Sequence, residues 1–215
     1  MREYTIVSSS LQRGSFDLAV KPYPRVEKSI ASKLCKLPVG EKVSMRGPFG
    51  NTIVRFEENG HDGIVQVGTG GEQVKATRIV MLAAGSGITP YIQVIRQWVE
   101  AKSTCGLVLL YSCKSLNAFA FKRHLDALSS GKGGNGAVLN VEYFVTDEAS
   151  PPEEHLTKGV IQSRRIQQHD LEKIHQAKDT GSDAWFVCGP STFEDCMRES
   201  LSALGVPGHC TFRFY

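Results

Sequence analysis

The chain has 215 residues, 41% hydrophobic and 22% charged, and a formal net charge of +3, which is room for one large or two small soluble domains with a proper core. No Lys/Arg block interleaved with aromatics is present, so composition argues against nucleic-acid binding. Six scattered cysteines without a C-x-x-C pair argue against zinc and a disulfide framework, and no signal peptide or apolar span of membrane length is seen, so a reduced, soluble, cytoplasmic setting is expected.

In chain order, residues 1–77 read as β-rich. Glu3–Ser8 and Phe16–Lys21 have strand character around a polar turn at Ser9–Ser15, and Lys28–Lys36 suits one short helix. Val43–Arg46 and Thr52–Phe56 read as a further pair joined by Gly47-Pro48-Phe49-Gly50-Asn51, which is turn chemistry. Glu57–Val74 is glycine-rich and polar, suiting a hairpin and then a linker. Four or five strands beginning at the second residue leave sheet edges unpaired, so the chain is expected to begin inside a domain.

From Arg78 onward the period changes. Ile79–Ala84 is an uncharged run of strand length, the habit of strands buried on both faces. It enters Gly85-Ser86-Gly87, followed by Thr89 as an N-cap and Pro90 at the first helical position. The helix carries Tyr91, Val94, Ile95, Trp98 and Val99 on one face. Leu107–Tyr111 is a second strand, and Phe121, Leu125 and Leu128 stripe a second helix. A glycine loop over Ser129–Gly136, a strand at Val138–Val145, an acidic loop at Glu148–His155 and a helix at Leu171–Ala177 follow. Ala184–Cys188 is a last buried strand; Gly189-Pro190 opens a helix bearing Phe193, Met197, Leu201 and Leu204, Gly205 ends it, and His209–Phe214 closes the chain as a strand. Strands alternating with helices imply a doubly wound parallel sheet. The expected division is residues 1–77 and residues 78–215.

A strand, a glycine turn and a helix N-terminus together form a ready phosphate site. Glycines alone support a tight turn equally well, and the spacing here is G-x-G-x-x-Pro rather than the usual dinucleotide fingerprint. A second turn, Cys188-Gly189-Pro190, has the same position after the last strand. In open α/β sheets ligands lie outside the carboxyl ends of the strands, so both turns are expected to face one crevice. Taken singly, Cys188 also suits a small buried hydrophobe, and Arg2 and Tyr4 suit a surface strand.

In order, these stretches resemble the ferredoxin–NADP reductase superfamily, and within it the cytochrome b5 reductase branch. Arg2-Glu3-Tyr4-Thr5 resembles the R-x-Y-[ST] flavin motif, and Phe16–Tyr23 the lysine-bearing strand after it. Arg46-Gly47-Pro48-Phe49-Gly50 is similar to the R-G-P-x-G turn, Ala84–Pro90 to the nicotinamide motif, and Val187–Pro190 to the C-G-P motif. The resemblance implies a partial antiparallel flavin-binding β-barrel followed by the nicotinamide-nucleotide domain.

The resemblance also implies roles. Arg2 would hold the FAD pyrophosphate, Tyr4 would stack on the isoalloxazine and Thr5 would bond its polar edge. Lys21 and Tyr23 would line the ribityl and phosphate path, and Ser29, Ile30 and Ala31 would offer backbone N–H groups to the FAD phosphates. Relatives carry G-x-x-S-x-x-L there; this chain has Lys28–Leu34 without that glycine, and Ala31 at the serine position. Gly85, Ser86, Gly87, Thr89, Gly189 and Pro190 would cradle the nicotinamide nucleotide, with Pro90 fixing the helix start. Ser86 and Cys188 would orient the nicotinamide for hydride transfer.

Asp147 matches the acidic residue of NADH-preferring relatives and suits a solvated turn equally well, while Lys114 is the residue that would favour NADPH. Tyr215 suits edge-strand packing ahead of a flavin contact. The expected activity is hydride transfer from NADH, with NADPH as the alternative, to FAD, then single electrons to a haem protein such as cytochrome b5, a fused haem domain or another one-electron acceptor. The rival readings are a catalytically silent NAD(P)-binding module and the reductase segment of a longer haem–flavin fusion.

Overall fold

Period-two alternation builds the first sheet. In the computed structural model, which describes residues 3–9, 11–22, 29–47, 49–68, 70–131, 139–147, 160–177 and 181–214, strands β1 (Thr52–Phe56), β2 (Gly63–Val67) and β3 (Gln73–Ala76) form an antiparallel meander. Val54 opposes Val65, which opposes Val74, so the valines share the inward face while Ile53 and Gln66 point away. Ahead of the sheet, helix α1 (Ile30–Lys36) begins at Ser29, whose Oγ accepts the Ser32 N–H at 3.1 Å.

Three expectations in this half change. The strands expected at Glu3–Ser8 and Phe16–Lys21 reduce to one antiparallel bridge between Ile6 and Leu18, with Val7 N donating to the Asp17 carbonyl at 2.9 Å. Val43–Arg46 forms no strand, its side chains all exposed. Strand propensity is realised only where a packed surface receives one face; Val43–Arg46 has none, and within Glu3–Ser8 only Val7 and Ser8 are buried. Glu57–Val74, expected to hold a hairpin and then a linker, holds β2 and the start of β3, which pair as a hairpin, and the next strand follows β3 after Thr77 alone with no linker.

The second sheet is parallel throughout. Strands β4 (Arg78–Ala84), β5 (Gly106–Cys113), β6 (Leu139–Val145), β7 (Val160–Gln162), β8 (Asp183–Cys188) and β9 (Thr211–Phe212) lie in the order β7-β6-β5-β4-β8-β9. Helices α2 (Thr89–Glu100), α3 (Lys122–Ser129), α4 (Gln168–Gln176) and α5 (Ser191–Ala203) cover it. Alternate residues of β4 feed two cores. Ile79, Met81 and Ala83 pack with α2 and α3, whereas Val80 and Leu82 pack with α4 and α5. The closing strand is shorter than expected because a 3-10 turn at Gly208–Cys210 occupies its approach. β7 is an edge strand of three residues, too short for a period to declare it.

The chain leaves β4 toward β5, β6 and β7 and then returns to β8 on the other side of β4. The switch point therefore lies between the carboxyl ends of β4 and β8. The first core also takes in Val54, Val65 and Ala76, so the small sheet packs on the α2 side of the large one. Hydrogen bonds cross that junction from Gln93 Nε2 to the Ser8 carbonyl, 3.1 Å, and from Thr52 Oγ1 to the Arg213 carbonyl, 2.7 Å. At the amino end of the sheet, Arg78 clamps buried Asp183 through Nε and Nη2, each at 2.9 Å. All six cysteines are free thiols. Among the described residues, no helix is long and apolar enough to cross a membrane, and no cluster of three metal-ligating side chains is formed.

Candidate functional site

Two backbone turns meet at the switch point. β4 runs into a 3-10 turn, Gly85–Ile88, that continues without a break into α2. Gly85 holds φ +56°, where a side chain is strained, and a Cβ there would meet nothing within 4 Å. Gly87 is the opposite case: a Cβ would lie 2.1 Å from the Cys188 carbonyl oxygen and 2.9 Å from the Gly189 nitrogen. Glycine is required at position 87 because the first turn rests directly on the peptide of the second. Gly189 is nearly as tight, its would-be Cβ 2.7 Å from Phe193 and 2.9 Å from the Ala84 Cβ. Ser86 and Cys188, expected to face one crevice, therefore stand on one floor, Ser86 exposed and Cys188 half-buried.

Thr89 is not the N-cap. Its backbone is already helical, φ −60° and ψ −43°, because the 3-10 turn feeds α2 from behind, so Pro90 falls one position further in. The Thr89 hydroxyl donates to the Ser86 carbonyl at 3.0 Å and braces the turn. Tyr111 adds a second brace, donating to the Gly85 carbonyl at 3.1 Å and accepting from Ala120 N at 3.3 Å.

These residues fit a dinucleotide. Open space above Gly85, an exposed Ser86 and the N-terminal end of a 12-residue helix leave bare backbone and a partial positive charge where a pyrophosphate can lie. Cys188 keeps its proton at neutral pH, since burial, helped by the Glu194 carboxylate, pushes its thiol up to about 12. Gly189 N donates to Glu194 Oε1 at 3.2 Å.

Lys114 and Asp147, read as opposing determinants of cofactor preference, face each other. They follow the neighbouring strands β5 and β6, with Asp147 N donating to the Lys114 carbonyl at 3.0 Å and Lys114 Nζ 3.8 Å from Asp147 Oδ2. Both side chains are more than half exposed, 84% and 57%, so the pair adds little stability.

On the flavin side, Tyr4, Thr5 and Ser29 are half-buried, Ala31 is buried, and Ile30 and Lys21 are exposed. Ser29 caps α1, leaving the first N–H groups at Ile30 and Ala31 without intrahelical partners. Burial raises the Cys113 thiol, opposed first by the Tyr111 hydroxyl and the Gly85 backbone. Arg2, Tyr23, Pro48, Tyr215 and the acidic stretch 148–155 lie outside the described residues. Sequence reasoning passed over Tyr111, Glu194 and Arg213. For Glu194 a signal existed, an acid in the first turn of a helix; Tyr111 lay hidden among strand apolars.

Residues 81–199 match the model of the oxidoreductase NAD-binding domain, and residues 1–53 that of the oxidoreductase FAD-binding domain. Nitrate reductase [NAD(P)H] of Hordeum vulgare is 28% identical over 95% of this chain and 23% of its own length. NADH-cytochrome b5 reductase 1 of Coccidioides immitis is 26% identical over 95% of this chain and 58% of its own length. The chain thus spans less than two thirds of either relative. Among solved structures, the CS-b5R domains of human Ncb5or in the NAD+ form align at TM-score 0.63 and 17% identity, covering 99% of this chain and 55% of that one. A ferredoxin NADP+ reductase from Neisseria gonorrhoeae with bound FAD and NADP aligns at 0.58 and 18%, covering 99% and 78%. These two likenesses bear on the fold.

Proposed function

We propose, from the premise that this chain belongs to the oxidoreductase NAD-binding domain family, that it passes a hydride from NAD(P)H to FAD and then single electrons to a haem protein or another one-electron acceptor. The FAD-binding match and the relatives bear out its place in the cytochrome b5 reductase branch. The observation that carries the proposal is the backbone contact of Gly87 with Cys188–Gly189, which makes one floor of the two turns at the switch point.

FAD, when bound, supplies a ring that accepts two electrons as a hydride and releases them one at a time. The chain's own residues bind and orient. Gly85, Ser86 and Gly87, with Thr89 and Pro90 holding the start of α2, receive the nucleotide pyrophosphate. Ser86 and Cys188 flank the nicotinamide, with Gly189 and Pro190 shaping the wall. Burial holds the Cys188 thiol far above its ordinary value, so at neutral pH its part is to pack and orient. Tyr4, Thr5, Lys21 and the N–H groups of Ile30 and Ala31 hold the flavin, together with Arg2 and Tyr23. Residues 1–77 serve the flavin and residues 78–215 the nucleotide.

Cytochrome b5, named in the relatives' activity, is the acceptor of first choice. Lys114 and Asp147 stand at the ribose end, Asp147 disfavouring and Lys114 favouring the extra phosphate of NADPH. The test is anaerobic mixing of the FAD-loaded chain with NADH, followed by ferricyanide. Bleaching of oxidised flavin and its recovery on oxidation are expected. A chain that takes up neither flavin nor NADH contradicts the proposal, and one that binds NADH without bleaching flavin is a nucleotide-binding module instead.

A further inference from the structure

We infer that Glu194 is the positioning residue that holds the Cys188-Gly189-Pro190 turn against the Gly85–Gly87 turn. This rests on the reading that the two turns receive the nicotinamide. Glu194 lies in the first turn of α5, its side chain only 16% exposed. One carboxylate oxygen, Oε1, accepts the Gly189 N–H at 3.2 Å; the other, Oε2, lies 3.6 Å from Arg213 Nε. Arg213 Nη2 also approaches Asp195 Oδ1 at 3.8 Å.

The Gly189 N–H belongs to the peptide whose carbonyl carbon and oxygen, both of Cys188, press on Gly87. A carboxylate that fixes this N–H therefore fixes the tilt of the plane on which the first turn rests. The tie extends further, because the Arg213 carbonyl accepts from Thr52 Oγ1 at 2.7 Å, and Thr52 begins β1. Beside it, Phe214 stacks on Phe186 with ring centres 5.0 Å apart and meets Tyr91 edge-on at 5.8 Å. A continuous line of contacts thus runs from the small sheet through the last described residues to the Cys188 turn. Its polar links, Gly189 N–H to Glu194, Glu194 to Arg213 and Thr52 to the Arg213 carbonyl, can each be cut separately.

Reach and charge separate cleanly at this position. Glu194→Gln keeps the acceptor at the same length and loses the charge, whereas Glu194→Asp keeps the charge and falls one methylene short. Flavin reduction by NADH, measured in single turnover on the full FAD-loaded chain, is expected to slow about tenfold in Glu194→Asp and Glu194→Ala, the scale of one hydrogen bond to a charged group. It is expected to stay within about threefold in Glu194→Gln. Affinity for ADP-ribose, which lacks the nicotinamide, is expected to stay unchanged in all three. Hydrogen exchange at the Gly189 amide of the free chain, independent of turnover, is expected to speed up about tenfold in the Asp and Ala variants only.

An Asp variant with wild-type flavin reduction and wild-type Gly189 exchange overturns the inference. So does a Gln variant as slow as Ala, which would make charge the cause. Loss of ADP-ribose affinity in parallel overturns it too, by making Glu194 a support of the fold. If the wild-type chain itself fails to reduce flavin, the proposed function fails, and the Gly189 exchange still decides the inference.

Discussion

Gly87→Ala strikes the contact on which the site depends. The new Cβ would sit 2.1 Å from the Cys188 carbonyl oxygen and 2.5 Å from its carbonyl carbon. Both are backbone atoms of the strand end β8 and cannot rotate aside. Relief requires the two turns to separate by about 1 Å, an overpacking that costs about 1–3 kcal/mol. For a chain of this size that lowers the melting temperature by about 2–12 °C. On the proposed reading, the same displacement would move the nicotinamide wall from the pyrophosphate floor, where about 1 Å of misplacement slows a transfer about 100-fold. Thermal melting followed by circular dichroism and stopped-flow flavin bleaching by NADH read the two effects. Gly106→Ala is the control, since its Cβ would make only ordinary contacts, 3.4 Å from the Arg78 Cγ and 3.6 Å from the Thr77 carbonyl oxygen. Wild-type melting and wild-type bleaching in Gly87→Ala would refute the reasoning.

Arg78→Ala strands buried Asp183, which is held at 2.9 Å by two guanidinium nitrogens; a loss of about 3 kcal/mol is expected in urea melts, and an unchanged midpoint contradicts it. The Cys105 and Cys188 thiols are both raised by burial to about 12 from an ordinary 9.0. A raised thiol contributes stability that is complete below the unfolded value and is lost as pH climbs through the folded one, so melting temperature is expected to hold flat to about pH 8.5 and to fall between about pH 9 and 12, with Cys105→Ala flattening part of that slope. Asp147→Ala is expected to shift kcat/KM toward NADPH about fivefold and Lys114→Ala toward NADH by a similar factor, the scale of about 1 kcal/mol for charges 4 Å apart in water. Neither should move the melting point by more than about 1 °C.

The second half of the fold was legible because its strands are buried on both faces. Ile79–Ala84 and Ala184–Cys188 are continuous apolar runs of strand length, the habit of strands covered on both faces in a parallel sheet. The first half was less so: the alternation of Glu3–Ser8 and Val43–Arg46 says which face would be apolar but not whether anything packs against it. The two glycine turns were legible as motifs, and their meeting was not, since the 2.1 Å approach at Gly87 depends on β4 and β8 being neighbours across about a hundred residues. For the same reason Lys114 and Asp147, each weighed alone, gave no sign of facing each other. Glu194 and Arg213 come from different elements, and only the return of β9 beside β8 brings them together.

A crystal structure of the FAD-loaded chain with NAD+ tests most directly whether the joined turns are the nucleotide site. The expected result is a pyrophosphate over Gly85–Gly87 and a nicotinamide between Ser86 and Cys188. A dinucleotide seated away from both turns, for instance in the cavity bordered by Leu116, Phe121 and His124, would contradict it.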